Sequence, residues 1–544
     1  MGSTIRRATA ADAPKWLDLV QVTLGSQYPV KAIYDAAWIA NQLDAKTGQE
    51  TWVAEVNGRL NGSISFLKPA SPDSDPVSNL GRNLFRPEGI KDGSAAALVK
   101  SVNELVTQRN EMAIVRLAAT DNAQQTLFED LGYVCAGFQP LKHMLQQRVG
   151  VLYYVRGSNS MLAARNPLSQ SLPQVSELGA VVLEQLKVPN VSMVRDGASG
   201  YPLQCDLKVQ ESTVEAYERC RAGRESFHPP VEVSGRFNFG FGLLRMPGGP
   251  AMRALLGEKD KQVVAGLSYY FDEQDRCGRV TETFCSDDLS MGALLAHALR
   301  LMQDQFDAVY TEVDILATAP RLLKSAEQMG FVPVAYLPAF FCSQGRYSDV
   351  VKMVKLNLPY SLESGDFTAR ARNVVKIVDR NFEDQKLGLA VINLLRPLSM
   401  FAGLGDGELR KVARLFVQKL YRPGDRVFAK GDPGDDAYIV LRGKISIQLE
   451  SDSPTVVQMS DGKIFGELAF LDGAPRAAFA FATQPTILLV MKRTSFGDLI
   501  RREPNLGMMV MRNLARDLAL KLRGVNEALA SVKKAPGKVL APVA

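Results

Sequence analysis

The amino-acid sequence predicts a mixed fold, α/β plus β: two α/β units in tandem, a helical linker, and a C-terminal β-roll with flanking helices. Three observations carry that prediction. First, ATDNAQQTLFEDLGYVCAGFQP, ending at Pro140, returns as ATAPRLLKSAEQMGFVPVAYLP, ending at Pro338, an offset of 198 residues that also places Thr120 on Thr318 and Gly132 on Gly330. A repeat of that length with mixed helical and strand periodicity reads as a duplicated α/β unit. Second, FTARARNVVKIVDRNFEDQKLGLAVINLL (367–395) carries a helical apolar stripe through Val374, Val375, Ile377 and Val378. Third, from Arg396 short β-branched and aromatic runs are punctuated by Gly424, Gly431, Gly434 and Gly443, the texture of a small barrel with tight turns.

Along the first copy (1–155), TWVAEVNGRLNGSISFL (51–67) predicts a hairpin turning at Asn57-Gly58. SAAALVKSVNELVTQRN (94–110) has one apolar helical face, AIVRLAA (113–119) reads as a strand, and NAQQTLFEDLG (122–132) as a helix stopped by glycine. GSAAALVKSV aligns with GALLAHALRL within one residue of the same offset. The second copy (156–358) contains VVAGLSYYFDEQDRCGRVTETF (263–284), a strand pair, and the aromatic–glycine run RFNFGFGLLRM (236–246), read as core strand with a substrate wall as the alternative. The remaining bounds are 359–395 for the linker, 396–533 for the β-roll with its helices, and 534–544 for a small, basic, disordered tail.

Composition excludes several classes. Of 544 residues, 46% are hydrophobic and 22% charged, as in globular proteins, and the net charge of +6 comes without a basic stripe for nucleic acid. No run of some 18 apolar residues is present, so no membrane span is expected. The start, MGSTIRRATAADAPKW, lacks the apolar core of a leader, and Cys135, Cys205, Cys220, Cys277, Cys285 and Cys342 form no CxxC pair. The expectation is a cytoplasmic protein with reduced thiols and no metal site. His143, His228 and His297 fall in unrelated stretches and suggest no histidine-based nucleophile.

FGELAFLDGAPRAAFA (465–480) is the most informative stretch. Phe465-Gly466-Glu467-Leu468-Ala469 can start a short helix, whose N–H groups favour an anion. Arg476 offers a planar fork for phosphate oxygens, and Glu467 can accept from a sugar hydroxyl. The alternative is a Glu467–Arg476 salt bridge closing the loop. The segment from Arg396 to about Ala530 resembles the cyclic nucleotide-binding domain of kinase regulatory subunits and bacterial catabolite activators. PLSMFAGLGDGELRKVARLF matches the family's leading helices, and FGELAFLDGAPRAA its phosphate-binding cassette. The resemblance assigns the ribose to Glu467, the phosphate to Arg476, and backbone donors to Gly466, Leu468, Ala469 and Ala477. Ala477 stands where a hydroxyl residue favours cGMP, so the ligand implied is cAMP. The DNA-reading module of the catabolite activators has no counterpart after the helical REPNLGMMVMRNLARDLALKLRGVNEALASV, so no DNA partner is expected.

The duplicated copies are similar to the GNAT acetyltransferase fold in order of elements. LFRPEGIKDGSAAALV (84–99) looks like that family's pyrophosphate loop and NAQQTLFEDLGYVCAGF (122–138) like its closing helix and strand. The resemblance implies acyl-CoA contacts at Gly93, Ala95 and Asn122, and at Gly292 in the second copy. Departures accompany it: Ile90 and Leu289 replace the loop's basic or amide residue, and Leu294 crowds its last position. Phe128 and Ala326 stand where many members carry a tyrosine acid. Glu282 on a strand is the candidate catalytic base, with Glu55, Glu88, Asp287 and Asp288 as further carboxylates and a solvated strand carboxylate as the bland alternative. Two functions follow from the resemblances. One is a cAMP-controlled, acetyl-CoA-dependent N-acetyltransferase acting on an amine or protein lysine. The other is a non-catalytic cAMP sensor whose degenerate acetyltransferase-like copies bind a partner or acyl-CoA.

Overall fold

The computed structural model describes the chain except residues 1–2, 27, 29–30, 45–49, 68–76, 146, 167–169, 190–197, 223–231, 234–251, 344, 359–364, 387, 452 and 535–544. His228, the run 236–246 and nearly all of the expected tail lie outside the described residues. The chain forms two compact units, Met1–Phe382 and Glu383–Ala544.

The first unit is built on one fourteen-stranded sheet. Its first copy supplies β1 (Thr4–Arg7), β2 (Glu50–Val56), β3 (Arg59–Leu67), β4 (Val77–Phe85), β5 (Met112–Ala118), β6 (Val134–Met144) and β7 (Arg148–Arg156). The second supplies β8 (Lys208–Ser212), β9 (Arg253–Lys259), β10 (Gln262–Asp272), β11 (Cys277–Cys285), β12 (Tyr310–Leu316), β13 (Val332–Ser343) and β14 (Arg346–Leu356). The order is β1-β2-β3-β4-β5-β7-β6-β13-β14-β12-β11-β10-β9-β8, a sequence of strands followed by its own mirror. The repeat seen in the sequence is therefore a repeat of topology: β5 starts at Met112 and β12 at Tyr310, β6 at Val134 and β13 at Val332, each 198 residues apart. The copies meet where Gly137 pairs with Ala335, its own counterpart at the same offset. A Cβ on Gly137 would stand 2.1 Å from the Ala335 Cβ, so only glycine allows that approach.

Local chemistry accounts for the pieces. Asn57 (φ 51°) and Gly58 (φ 77°) both take the left-handed region between β2 and β3, as a two-residue hairpin turn requires. The helix Ser94–Gln108 buries Ala95, Leu98, Val99, Val102 and Val106 at helical spacing against the sheet. Its counterpart, Ser290–Phe306, buries Leu294, Leu295, Ala298, Leu299 and Met302. One hydrophobic cluster runs through both copies and takes in Val374, Val375, Ile377, Val378 and Phe382 from the helix Ala369–Lys386.

The sheet curls. Lys142 on β6 reaches Cys277 on β11 at 3.1 Å although β13, β14 and β12 lie between them in the sheet. A flat sheet would separate these strands by roughly 19 Å at 4.8 Å per strand. Inside the curl lies a buried ionic network. Glu312 receives Gln139 Nε2 at 2.6 Å, Lys142 Nζ at 3.3 Å and Arg279 Nη1 at 3.4 Å. Asp314 receives Arg279 Nη2 at 2.5 Å and Lys352 Nζ at 2.6 Å. Each of these ionic side chains is no more than 1% exposed.

In the second unit the helix Gly388–Leu395 leads into the short helix Asp406–Ala413 and a roll of two four-stranded sheets. One sheet has β15 (Phe416–Tyr421), β22 (Thr486–Lys492), β17 (Asp436–Arg442) and β20 (Ile464–Phe465). The other has β16 (Arg426–Phe428), β21 (Phe479–Ala482), β18 (Ile445–Gln448) and β19 (Val457–Met459). Phe428, Tyr438, Val440, Ile445, Phe465, Leu488 and Val490 fill the roll. The helices Arg493–Arg502 and Pro504–Lys534 follow it, and Phe496, Leu506, Val510 and Leu514 join a second cluster with Phe401 and Leu409. No helix among the described residues is long and apolar enough to cross a membrane, and no described cluster of three or more His, Cys, Asp or Glu could hold a metal ion.

Candidate functional site

The loop after β20 gathers Gly466, Glu467, Leu468, Ala469, Arg476 and Ala477 into one place. Gly466 takes φ 74°, a conformation costly for any residue with a Cβ, and opens the short helix Glu467–Asp472. Phe470 is the first residue to bond back, to the Gly466 carbonyl at 3.3 Å, so the N–H groups of Leu468 and Ala469 stand outside the helix ladder. Ala469 is buried, whereas Leu468 and Ala477 are exposed and Glu467 is half-buried. Two main-chain bonds hold the other side of the loop: Arg476 N donates to Asp432 O and Gly431 N to Arg476 O, both at 2.8 Å.

The Arg476 side chain turns into the roll and is 4% exposed. Its Nη1 donates to the Gly466 carbonyl at 2.8 Å and its Nη2 to the Asp436 carbonyl at 2.7 Å. Nε is buried without a hydrogen-bond partner. Among the described residues Arg476 makes no ion pair, so the loop-closing Glu467–Arg476 salt bridge does not form. The guanidinium lies 4.5 Å from the centre of the Phe428 ring and 5.4 Å from that of Tyr438. Sequence reasoning named neither ring nor the Asp436 carbonyl. The alternation Val427-Phe428 and Ala437-Tyr438-Ile439 signals inward-facing strand positions, yet nothing in the spacing says that both rings end beneath Arg476.

Most of the positions expected to contact acyl-CoA are engaged by the chain itself. Gly93 (φ 82°) precedes its helix with nothing within 4 Å of where a Cβ would stand. The adjacent N–H of Ser94 is satisfied by the Asp92 carboxylate at 2.8 Å, and Ala95 is fully buried. Those bonds from Ser94, opposed by some desolvation, hold the Asp92 carboxyl below its ordinary value. Asn122 donates to Asp366 Oδ1 at 3.1 Å. In the second copy Asp287 accepts from Leu289 N at 2.9 Å and Ser290 N at 2.7 Å. A Cβ on Gly292 would meet the Pro202 carbonyl at 2.4 Å, so the chain fills the space beside it.

Glu282 is not a solvated strand carboxylate, the bland alternative. It is 8% exposed, pairs with Arg221 Nη2 at 3.0 Å and accepts from Tyr217 Oη at 3.3 Å. Burial pushes its carboxyl up, against the pull of Arg221. Of the other carboxylates, Glu55 pairs with Arg6 at 2.7 Å and Lys15 at 2.6 Å, and Asp288 with Arg321 at 2.8 Å. Glu88 lies in the first turn of the helix Pro87–Lys91.

Glu232 was not anticipated. The parallel pair β11–β12 is registered only from Cys277–Val280 to Tyr310–Val313, and beyond it Val233 bridges to Ile315 on the edge of β12 that faces β11. Glu232 O accepts from Leu316 N at 2.8 Å, its Oε1 accepts from Tyr201 Oη at 2.9 Å, and its Oε2 is buried without a partner. Burial raises its pKa to about 7, although Tyr201 and Arg321 pull the other way. A carboxyl whose folded pKa is raised contributes stability below its unfolded value near 4.5 that is lost as pH rises through 7. The expected result is that Glu232→Gln raises the melting temperature relative to wild type at pH 8 and gives little or no gain at pH 5. Melting curves of both chains at the two pH values check it.

Comparison with known proteins identifies the roll. Residues 418–503 match the family model described as cyclic nucleotide-binding domain, and the Gly466–Arg476 loop lies within it. The chain is 35% identical over 127 residues to the Cyclic AMP receptor protein of Thermus thermophilus, 32% over 128 residues to Glutaminase 2 of Bradyrhizobium diazoefficiens, and 34% over 101 residues to the cAMP-dependent protein kinase regulatory subunit of Yarrowia lipolytica. These matches cover 23%, 24% and 19% of this chain and 57%, 20% and 26% of those proteins, so the chain spans only part of each relative's length.

Proposed function

We propose that this chain is a cAMP-responsive regulatory protein, its C-terminal roll sensing the nucleotide and its duplicated α/β half delivering the output. The observation that carries the reading is Arg476: a buried guanidinium with no ion pair among the described residues, set beside a helix start inside the matched domain. An anionic ribose phosphate supplies the missing negative charge, with Glu467 on the ribose and Gly466, Leu468, Ala469 and Ala477 offering backbone contacts. Two of the relatives carry cAMP in their names.

We read the first unit as two acetyltransferase-like copies, 1–155 and 156–358, that act as a non-catalytic scaffold. Asp92, Asp287, Asp366 and the Tyr201–Pro202 backbone engage atoms or space expected to meet the coenzyme. A second reading, acetyl-CoA-dependent transfer to an amine or protein lysine, is favoured by one observation. In the first copy β4 and β5 are registered only from Val77–Leu80 to Met112–Val115, and the helix start at Gly93 is open. Melting curves of the full chain with acetyl-CoA, against free acetate, separate the two. The scaffold reading expects no shift at millimolar coenzyme; a saturable shift ends it and leaves the transferase and a non-catalytic acyl-CoA-binding sensor, which acetyl transfer to an amine acceptor tells apart.

Selectivity offers a separate check on the roll. Ala477 has no hydroxyl to pair with the guanine amino group, so cAMP is expected to bind more tightly than cGMP. Ala477→Thr should narrow the gap by about 1 kcal/mol, the net worth of one hydrogen bond. Competition binding on the full chain reads this directly, and a wild-type preference for cGMP would refute the assignment.

A further inference from the structure

We propose that Phe428 and Tyr438 are positioning residues: an aromatic shelf that holds the Arg476 guanidinium in place for the nucleotide phosphate without neutralising it. This inference rests on the cAMP reading above and deepens it. A guanidinium 4% exposed ordinarily needs a carboxylate, because burying an unpaired charge is costly. Arg476 has none among the described residues. What offsets the burial is two main-chain carbonyls, Gly466 O at 2.8 Å and Asp436 O at 2.7 Å, and two ring faces at 4.5 and 5.4 Å. The negative face of an aromatic ring attracts a cation through its quadrupole.

The choice of partner has a consequence for the ligand. A carboxylate would cancel the charge that a phosphate must meet and would have to be displaced by it. Carbonyl dipoles and ring faces stabilise the cation and leave its formal charge available. The shelf is itself fixed. Tyr438 stacks on Phe465 with centroids 5.1 Å apart and planes 17° apart, and Phe428 lies 5.7 Å from Tyr438 and 6.0 Å from Phe465. Phe428 comes from β16 and Tyr438 from β17, strands of different sheets, so folding of the roll assembles the shelf. Arg476 N is tied to Asp432 O at 2.8 Å, so the chain's own contacts fix both backbone and guanidinium.

The alternative is that the rings only fill the core. The test measures cAMP binding by calorimetry, with melting temperature alongside, for full-length wild type, Phe428→Leu, Phe428→Tyr and Tyr438→Phe. Phe428→Leu is then repeated in an Arg476→Ala background. Phe428→Leu should weaken cAMP about fivefold, whereas Phe428→Tyr and Tyr438→Phe, which keep a ring, should stay within about twofold of wild type. In the Arg476→Ala background Phe428→Leu should cause no further loss, because the residue it acts through is gone. Wild-type affinity in Phe428→Leu, or the same loss persisting without Arg476, overturns the shelf. If Arg476→Ala binds too weakly to titrate, the ring series decides: affinities that follow melting temperature rather than ring retention overturn it. Wild-type chain that fails to bind cAMP removes the shelf together with the reading it rests on. Binding that needs Arg476 but ignores Phe428 removes the shelf alone.

Discussion

Arg476→Ala is expected to lower cAMP affinity by at least about 2–3 kcal/mol, roughly 30- to 150-fold. The loss combines two physical changes. The phosphate enters the roll without its cation, so a desolvated anion is left with backbone donors only. In addition, the Gly466 and Asp436 carbonyls lose the donors that now satisfy them at 2.8 and 2.7 Å. The second change acts on the ligand-free chain and should lower its melting temperature as well, so stability alone does not identify the site. Calorimetry on the full chain makes the distinction. A variant that melts lower yet binds cAMP as wild type does would make Arg476 a structural bracket for the Gly466 turn and would end the site assignment. Arg476→Lys keeps the charge and loses the planar fork, and should fall between the two.

The parts of this chain that were legible in the sequence are those fixed by short-range chemistry. The Asn57-Gly58 hairpin, the helix Ser94–Gln108 and the helix opened by Gly466 each depend on residues adjacent in the chain. The duplication was legible because its two copies kept equal spacing. That the copies share one curled sheet was not, because the shared seam depends on Gly137 meeting Ala335, and nothing local to either residue records the other. The same limit explains the site. Glu467 and Arg476 sit nine residues apart within one loop, whereas the rings under Arg476 come from two other strands. Glu232 escaped notice for a related reason: a lone glutamate in HPPVEVS reads as solvated loop until Val233 is seen against Ile315. Asp92 and Asp287 show the same limit from the other side. The loop glycines suggest a diphosphate cradle, and only the fold shows that the N–H groups of Ser94, Leu289 and Ser290 donate to the chain's own carboxylates.

The largest effect on stability is expected at the seam of the two copies, where Glu312→Gln should cost about 3–5 kcal/mol. The substitution keeps the side chain's size, so no cavity term enters. What it removes is one of two carboxylates, Glu312 and Asp314, that neutralise Lys142, Arg279 and Lys352 inside the curl. Lys142 loses its ionic partner and keeps the Tyr310 ring at 4.8 Å and Cys277 at 3.1 Å, a neutral thiol because burial raises its pKa to about 12 even against the pull of Lys142. Burial alone would favour the neutral form of Glu312, but the attraction of Lys142, Lys352 and Arg279 outweighs it and holds the carboxyl well below the usual carboxylate range. The sign of the pH dependence follows. A carboxyl with a depressed folded pKa contributes stability that is present above its unfolded value near 4.5 and is lost as pH falls below it. The gap between wild type and Glu312→Gln should therefore be widest near neutral pH and should narrow on acidification below about 4.5. Arg276→Ala provides the contrast: its partner Asp307 is 85% exposed, and losing that pair should cost well under 1 kcal/mol. Denaturant titrations of the three chains at pH 7 and pH 4 measure both quantities. Equal small losses from the buried and the exposed substitution would mean that the seam relaxes to admit water, and the network would then have no part in holding the copies together.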